Sequence, residues 1–283
     1  MDMRRAEEAV ARTAMIASTA AIIGGLFVIL ATMIIKGLPA LDLAMITQTP
    51  KGGFYLGREG GILNAIVGSL CVVGVATVLA ALVAVPVALY LSVYSRKKSR
   101  MARFARLSLE VLWGIPSIVY GAFGFTVMVY LGLRASLLGG SIAVFLLILP
   151  IMSRAMDEAL RLVPQGLVDA AFALGATKLE AATGVVLKQA LPGIITAVLI
   201  AVGRGIGDAA SVLFTAGFTD NLPTSLLQPA ATLPLAIFFQ LGSPIPEVQE
   251  RAYASALVLT IIILIISTST RLVARRLDVH RVR

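Results

Sequence analysis

The chain has 283 residues, of which 58% are hydrophobic and 14% are charged, and its formal net charge is +9. Soluble domains typically carry about 25% charged residues, so this composition excludes an ordinary soluble protein and indicates the lipid bilayer. With one histidine and one cysteine, the sequence contains no zinc-hydrolase motif, catalytic triad or Cys-His pair. It also lacks any Gly-Lys dipeptide, which excludes a P-loop. We therefore expect a non-catalytic chain that binds neither a metal nor a cofactor.

Long apolar runs follow one another along the chain. A helix needs about 20 apolar residues to cross the hydrocarbon core. Six runs meet that length, at residues 14–35, 62–94, 110–133, 136–156, 193–217 and 252–270. The sequence therefore predicts an all-α, polytopic membrane protein with six transmembrane helices. Its parts are an N-terminal segment at 1–13, a transmembrane domain at 14–272 that includes a polar segment at 158–192, and a basic tail at 273–283.

The basic residues are distributed unevenly between alternate loops. Residues 1–13, 95–109, 154–192 and 271–283 contain 18 of the 24 lysines and arginines, whereas the opposite loops contain five. By the positive-inside rule, both termini and the polar segment are predicted to be cytoplasmic. Topology thus explains the net charge, and nucleic-acid binding is not needed to account for it.

A basic belt follows the second apolar run. It comprises Arg96-Lys97-Lys98 with Arg100, Arg103 and Arg106. Anchoring at anionic lipid headgroups explains such a belt without any specific ligand, so we expect these side chains to lie at the membrane surface.

The polar segment at 158–192 contains clear helix start and stop signals. Pro164 suits the first turn of a helix, and Gly175 suits the left-handed residue that ends one. Thr177 and Glu180 have the spacing of a capping box, which starts a second helix. The pattern predicts two helices joined by a glycine break, a knob suited to docking into another protein.

Two charged residues interrupt the fifth apolar run. Arg204 lies between Gly203 and Gly205, and Asp208 follows one helical turn later. A charge deep in the membrane is unfavourable by several kcal/mol unless it faces water or a partner. The pair either neutralises itself to hold the helices together or forms an anion station on a transport path. Intramembrane charges tend to mark such paths, which favours the second interpretation.

The third apolar run and a short apolar stretch in the loop before the sixth run leave alternatives open. A Pro-Ser break at Pro116 and Ser117, between glycines, predicts a bent helix that either lines a path or only packs. The apolar stretch 230–241 is too short to cross the membrane, so it forms a re-entrant or surface helix, or a loop packed on the bundle.

The polar segment resembles the EAA loop of ABC-importer permeases, which fits a groove on the ATPase subunit. The residues that carry the resemblance are Asp169-Ala170-Ala171, Gly175 and Val185-Val186-Leu187. Other stretches are similar to one branch, the A-type permeases of phosphate-specific importers (the PstA family). They are residues 60–69, 116–121, 158–164, 173–178, 192–194 and 203–208, so the resemblance covers roughly residues 55–270.

The resemblance implies the permease fold of type I ABC importers and a place in a bacterial or archaeal cytoplasmic membrane. It also implies four kinds of partner: a second, PstC-like permease, a PstB-like ATPase homodimer that binds ATP and Mg²⁺, a PstS-like external phosphate-binding protein, and membrane lipids. The implied function is phosphate import by alternating access. The implied site residues are Arg204, Asp208 and Ser117 on the substrate pathway, and Asp169, Ala170, Ala171, Leu174, Gly175, Ala176, Thr177 and Lys178 at the ATPase.

The sequence departs from the family pattern at three positions. Asp169 and Asp208 each stand where relatives usually carry Glu, so each carboxylate has a shorter reach. Lys188 stands where relatives usually carry Pro, and we expect Pro192 to supply the break instead. A permease for sulfate, molybdate or another oxyanion remains the alternative within this class. A secondary transporter is the alternative outside it, although the sequence contains no clear internal repeat.

Overall fold

The computed structural model describes residues 2–51, 59–95 and 99–278. The belt residues 96–98 and the end of the predicted tail, 279–283, lie outside this range. The α-helices are α1 (Asp2–Gly37), α2 (Leu43–Thr47), α3 (Leu63–Leu89), α4 (Arg100–Gly114), α5 (Ser117–Tyr130), α6 (Leu137–Arg161), α7 (Gln165–Ala173), α8 (Lys178–Glu180), α9 (Leu187–Ile206), α10 (Leu233–Leu241) and α11 (Pro246–Asp278). Two π-helical turns (Tyr90–Tyr94 and Ala181–Val186) continue α3 and precede α9, and the short strands β1 (Pro50–Lys51) and β2 (Glu59–Gly60) pair in antiparallel fashion.

Six membrane crossings are present if one bent pair of helices counts as a crossing. Five helical segments are long and apolar enough by themselves: Glu7–Ala40, Leu63–Tyr94, Leu137–Arg161, Lys178–Ile206 and Pro246–Leu272. The sixth consists of α4 and α5, which meet at 96°. The predicted start of this crossing, residue 110, is wrong because α4 begins at Arg100, whereas the predicted bend at Pro116 and Ser117 is confirmed. The cause of the bend is Pro116, which drives Ile115 into extended backbone (φ −71°, ψ 130°) and so ends α4.

The fifth predicted crossing, 193–217, is wrong at both ends. Helical structure begins at Lys178 and passes through the π-helical turn into α9, which ends at Ile206. Pro192 lies inside α9 and does not break it. After Ile206 the chain turns back, and the Asp208 carboxylate accepts a hydrogen bond from the backbone N–H of Ser211 (2.8 Å). Such a side-chain bond competes with helix continuation, which explains the early end.

Helix α6 lies at the centre of the bundle, where α3, α4, α5 and α9 pack around it. On α3, small side chains repeat every four residues at Ala76, Ala80, Ala84 and Ala88, and all four are fully buried. A spacing of four keeps them on one helix face, and their size lets the neighbouring backbone approach closely. The core thus depends on tight packing of small residues.

The bundle has two distinct ends. The strand end carries β1, β2 and α10, and the knob end carries α7 and α8. At the strand end, the start of α10 crosses α3: Ser69 accepts a hydrogen bond from the N–H of Leu233 (2.8 Å), and Gly68 faces the carbonyl of Ala231. The stretch 230–241 therefore contains a short helix, α10, whose first turn is buried and whose second half exposes Phe238 and Leu241. The small residues near the start of α3 serve packing.

Candidate functional site

The polar segment between α6 and α9 forms a protruding knob, which we define as residues 165–180. Its first helix, α7, follows Pro164, whose extended backbone (ψ 128°) places it just before the helix. The helix ends at Gly175, which has a φ of +84°. The N–H groups of Gly175 and Ala176 donate to the carbonyls of Phe172 and Ala171, both at 3.0 Å. These bonds form a Schellman motif, so the glycine stop predicted from sequence is confirmed.

The second helix of the knob begins with a complete capping box. The hydroxyl of Thr177 accepts a hydrogen bond from the N–H of Glu180 (3.3 Å). In return, the Glu180 carboxylate accepts from the N–H and the hydroxyl of Thr177, both at 2.8 Å. The predicted capping box is confirmed, and it fixes the direction in which the chain leaves the knob.

The knob exposes apolar side chains. No residue of α7 is buried, and Leu174 at the tip is 90% exposed, with Leu179 and Phe172 also exposed. Exposed apolar patches are typical of protein-binding surfaces, which makes the knob a candidate docking surface. Among the eight predicted coupling residues, Asp169, Ala170, Leu174, Gly175, Thr177 and Lys178 are exposed, and Ala171 and Ala176 are half-buried.

A buried carboxylate anchors the helices from which the knob projects. Asp157, near the end of α6, is 1% exposed. Arg106 donates to both of its oxygens (2.8 and 3.3 Å) and also to the carbonyl of Leu91 (2.8 Å), which ties α4 to α6 and to the π-helical turn of α3. Arg161 pairs with the same carboxylate at 3.2 Å.

This network was not predicted from the sequence. The basic belt predicts Arg106 at lipid headgroups, whereas the structure places the side chain inward on Asp157. Asp157 directly follows the apolar run 136–156, and an acid in that position indicates a buried partner. The pattern does not specify which residue is that partner.

Arg204 lies in the last turn of α9, at the end of the helix and not deep within a longer one. Its side chain is 53% exposed, and its Nη2 lies 3.9 Å from Oδ1 of Asp208. That distance is longer than a hydrogen bond. Within the described part of the chain, no hydrogen bond uses the Arg204 guanidinium. The structure thus brings the two predicted residues together and leaves the donors of Arg204 available.

The three glycines around Arg204 differ in their surroundings. A Cβ at Gly203 would meet nothing within 4 Å, and one at Gly207 would approach only the Gly203 carbonyl oxygen (3.8 Å). A Cβ at Gly205 would instead lie 3.0 Å from Val144. Two of the glycines therefore leave open space beside the arginine, whereas Gly205 serves packing between α9 and α6.

The Asp208 carboxylate is held from the buried side. The residue is 8% exposed, and one oxygen accepts from the Ser211 N–H while the other faces Arg204. Behind it lies a cavity of about 10 Å³ that Thr232 and Ser69 also line. A volume of that size accommodates roughly one water molecule. Asp208 is fixed in place by the turn, while Arg204 extends towards open space.

Ser117 does not join this pair directly. It begins α5 and is half-buried, and no hydrogen bond or ion pair among the described residues connects it with Arg204 or Asp208. One turn later, a Cβ at Gly121 would lie 2.7 Å from the Ala210 carbonyl oxygen, so α5 packs closely on the turn after Asp208. Ser117 is thus near the same turn, on a neighbouring element.

Comparisons with known proteins identify the class. Residues 84–281 match the family described as "Binding-protein-dependent transport system inner membrane component". Structures of the MetNI methionine ABC transporter in inward-facing conformations share the fold, with a TM-score of 0.64 at 20% identity over 76% of this chain and 95% of theirs. The chain belongs to this family of ABC-importer permeases, and the predicted fold class is confirmed.

Within that family, relatives of the PstA group match nearly the whole chain. The phosphate transport system permease protein PstA of Haemophilus influenzae is 36% identical over 86% of this chain and 85% of its own length. The protein of the same name in Yersinia pestis is 35% identical over 93% and 89%. PstA 1 of Mycobacterium tuberculosis is 34% identical over 76% and 70%. The chain belongs to the PstA group.

Proposed function

We propose that the chain is one permease subunit of an ATP-driven importer of inorganic phosphate. The observation that supports this proposal most directly is Arg204, a half-exposed guanidinium with open space beside it at the end of the apolar part of α9. A charge on that surface cannot face hydrocarbon without a large free-energy penalty. It therefore faces a second permease subunit and the pathway between the two. The names of the PstA relatives support phosphate as the substrate.

Arg204 and Asp208 divide the recognition of phosphate between them. Arg204 binds the phosphate oxygens with charge-assisted hydrogen bonds, and Asp208 holds the guanidinium or accepts a hydrogen bond from a phosphate O–H. Sulfate lacks that O–H at neutral pH, so an acceptor in the pathway disfavours it. Ser117, at the start of α5, adds a hydroxyl to the pathway. The chain itself binds no metal or cofactor.

The knob couples this chain to an ATPase. We expect ATP and Mg²⁺ to bind on a PstB-like ATPase dimer, with Leu174 and neighbouring coupling residues in a groove of that subunit. Closure of the dimer moves the knob, and α9 transmits this motion to Arg204 because helical structure runs from Lys178 to Ile206 with only the π-helical turn within it. Alternating access follows from this link.

The remaining partners follow from the orientation. The positive-inside rule places both termini and the knob in the cytoplasm. The strand end then faces outward in a bacterial or archaeal cytoplasmic membrane. There it receives a PstS-like phosphate-binding protein, while a PstC-like permease covers the open side of α9.

Uptake by the reconstituted complex tests the pathway role. We expect Arg204→Ala to reduce ATP-dependent phosphate uptake at least about tenfold, because a charge-assisted contact is lost. Arg134→Ala is the matched control, since Arg134 is an exposed arginine at the strand end. Co-purification of the ATPase checks that the variant still assembles. Normal uptake by an assembled Arg204→Ala complex contradicts the proposal.

A competition experiment separates phosphate from the alternative oxyanions. Excess unlabelled sulfate or molybdate is added to the phosphate uptake assay, with the natural chain and with Asp208→Asn. We expect little competition with the natural chain and stronger competition by sulfate with the variant. Transport of sulfate or molybdate in preference to phosphate favours the alternative. ATP-independent uptake favours a secondary transporter.

A further inference from the structure

A half-open cavity of about 510 Å³ lies at the knob end, on the side of the molecule away from Arg204. Its walls come from the π-helical turn of α3, from α4, from the end of α6 and from α7. Ligand pockets are typically about 300–1,000 Å³. The cavity therefore has room for a small ligand, directly behind the helix that carries the coupling residues.

The charges on this cavity have one sign. Arg106 and Arg161 line it, and no aspartate or glutamate is among the described lining residues. The carboxylate that faces both arginines, Asp157, lies behind the wall and carries one negative charge against two positive ones. Beside it, Arg154 pairs with both Glu110 and Glu158, which leaves that cluster with one negative charge in excess. The two arginines thus line the cavity, whereas the carboxylates that balance their charge lie outside the lining.

The two arginines use their donors differently. The Nε of Arg106 donates to Asp157, and its Nη2 donates both to Asp157 and to the carbonyl of Leu91. The Nε of Arg161 forms an ion pair with Asp157 at 3.2 Å, and the Arg161 side chain is 48% exposed. Among the described residues, no hydrogen bond uses its terminal nitrogens. The N–H groups on the terminal nitrogens of Arg161, a residue that lines the cavity, are thus available to a ligand.

The rest of the lining fits a ligand with a phosphate group. The hydroxyl of Ser92 and the amide of Gln165 provide further polar groups, whereas Val163, Val168 and Phe172 provide apolar walls. Two oxygens of a phosphate group can accept the two parallel donors of a guanidinium group, as the oxygens of a carboxylate do. Basic pockets between transmembrane helices also suit the phosphate of a lipid headgroup.

We propose that this cavity binds a phosphate-bearing anion, either an anionic phospholipid headgroup or free inorganic phosphate, through the terminal nitrogens of Arg161. The bound anion pairs with the guanidinium group of Arg161 and joins α6 and the π-helical turn of α3 to α7. It thereby stiffens the base of the knob. This site is separate from Arg204 and does not depend on what the chain transports.

The lipid source is tested by mass spectrometry of the intact complex, purified in detergent with phosphatidylglycerol or with phosphatidylcholine. We expect retained phosphatidylglycerol with the natural chain and a loss of about tenfold in retention with Arg161→Gln, because a charge-assisted contact is removed. Arg103→Gln is the matched control: it removes an exposed arginine of α4 that does not line the cavity. We expect it to retain the lipid.

The free-ion source is tested with radiolabelled inorganic phosphate, on the complex in pure phosphatidylcholine vesicles. The Arg204→Ala background removes the proposed pathway site, so the remaining binding reports the cavity. We expect that binding to be lost in Arg204→Ala/Arg161→Gln and kept in Arg204→Ala/Arg103→Gln. A response in either the lipid or the phosphate measurement supports the proposal and names the source.

Two outcomes overturn the proposal. One is that Arg161→Gln changes neither measurement. The other is that Arg161→Gln and Arg103→Gln reduce both measurements equally, which assigns the effect to overall surface charge. A failed pathway proposal is distinguishable from either, because it appears as unchanged phosphate uptake in Arg204→Ala.

Discussion

The knob and the Arg204 site are built in opposite ways. In the knob, the hydrogen bonds that fix the chain connect residues at most five apart, from Ala171 with Ala176 to Thr177 with Glu180. At the Arg204 site, by contrast, the turn after α9 contacts residues that are distant in the sequence, on α3, on α5 and just before α10. Asp208 shares its small cavity with Thr232 and Ser69, and Gly121 of α5 packs on the turn that follows.

This difference in construction fits the roles proposed for the two regions, with the knob as the contact to the ATPase and the Arg204 site as part of the pathway. Local hydrogen bonds keep the knob in one shape even though it buries no residue of α7, so it can be presented whole to a partner. The Arg204 site is fixed on its buried side and open on the other, so it requires a partner to complete it. A rigid knob joined to an incomplete pathway suits a subunit that works only within an assembly.

Among the variants that test how the knob region is stabilised, Asp157→Ala is expected to cause the largest loss of stability, because it removes the carboxylate that Arg106 and Arg161 share. The change leaves Arg106 partly buried with two of its hydrogen bonds gone. Breaking a buried pair typically destabilises by about 3–5 kcal/mol. The melting temperature of the purified chain measures the loss.

Glu158→Ala is the control for Asp157→Ala. Glu158 neighbours Asp157 and pairs with Arg154, but it is exposed, so its removal is expected to change stability by less than about 1 kcal/mol. Equal melting temperatures for the two variants contradict the anchoring role of Asp157.

The features that were predicted correctly from the sequence are those that depend on residues close together in the chain. The glycine stop at Gly175 and the capping box at Thr177 follow from short-range patterns and are present, as are six crossings if the bent pair α4 and α5 counts as one. The 96° bend at Pro116 was predicted as a bend, but its size depends on the packing of α5. The Arg106–Asp157 pair joins residues 51 apart, and no local pattern specifies such a contact.

The second prediction concerns the packing at the strand end. A Cβ at Gly68 would overlap the carbonyl oxygen of Ala231, which is backbone and cannot rotate away. We expect Gly68→Ala to destabilise the chain by about 1–3 kcal/mol, the usual effect of overpacking. Thermal unfolding measures it.

Gly74→Ala serves as the control for Gly68→Ala, because a Cβ at Gly74 meets nothing within 4 Å on the same helix. If the two variants unfold at the same temperature, the close crossing of α3 by the start of α10 is not part of the folded chain. In that case the small residues of α3 need another explanation.

The third prediction concerns the tip of the knob. Gly175 has a φ of +84°, and a side chain there meets open space, so any effect of substitution comes from the backbone alone. Gly175→Ala is expected to disfavour the native knob by about 1–2 kcal/mol. Gly175→Asn is expected to have a smaller effect, since Asn tolerates the left-handed region better.

The measurement for Gly175 is the ratio of phosphate transported to ATP hydrolysed, together with ATPase co-purification. We expect the ratio or the co-purification to fall in the order Gly, Asn, Ala. Full coupling in Gly175→Ala contradicts the idea that the shape of the knob transmits the motion.

The smallest effect is expected from Thr177→Ala, which removes half of the capping box. The N–H of Glu180 loses its acceptor, although the carboxylate of Glu180 can still accept from the backbone N–H of residue 177. Loss of an N-cap typically costs about 1 kcal/mol. Thr177→Ser keeps the hydroxyl and is expected to match the natural chain. Hydrogen exchange at the amides of residues 178–181 measures the stability of this cap directly. Faster exchange in Thr177→Ala alone supports the capping role. Equal rates in all three chains mean that the partner, and not the sequence of the knob, stabilises its shape.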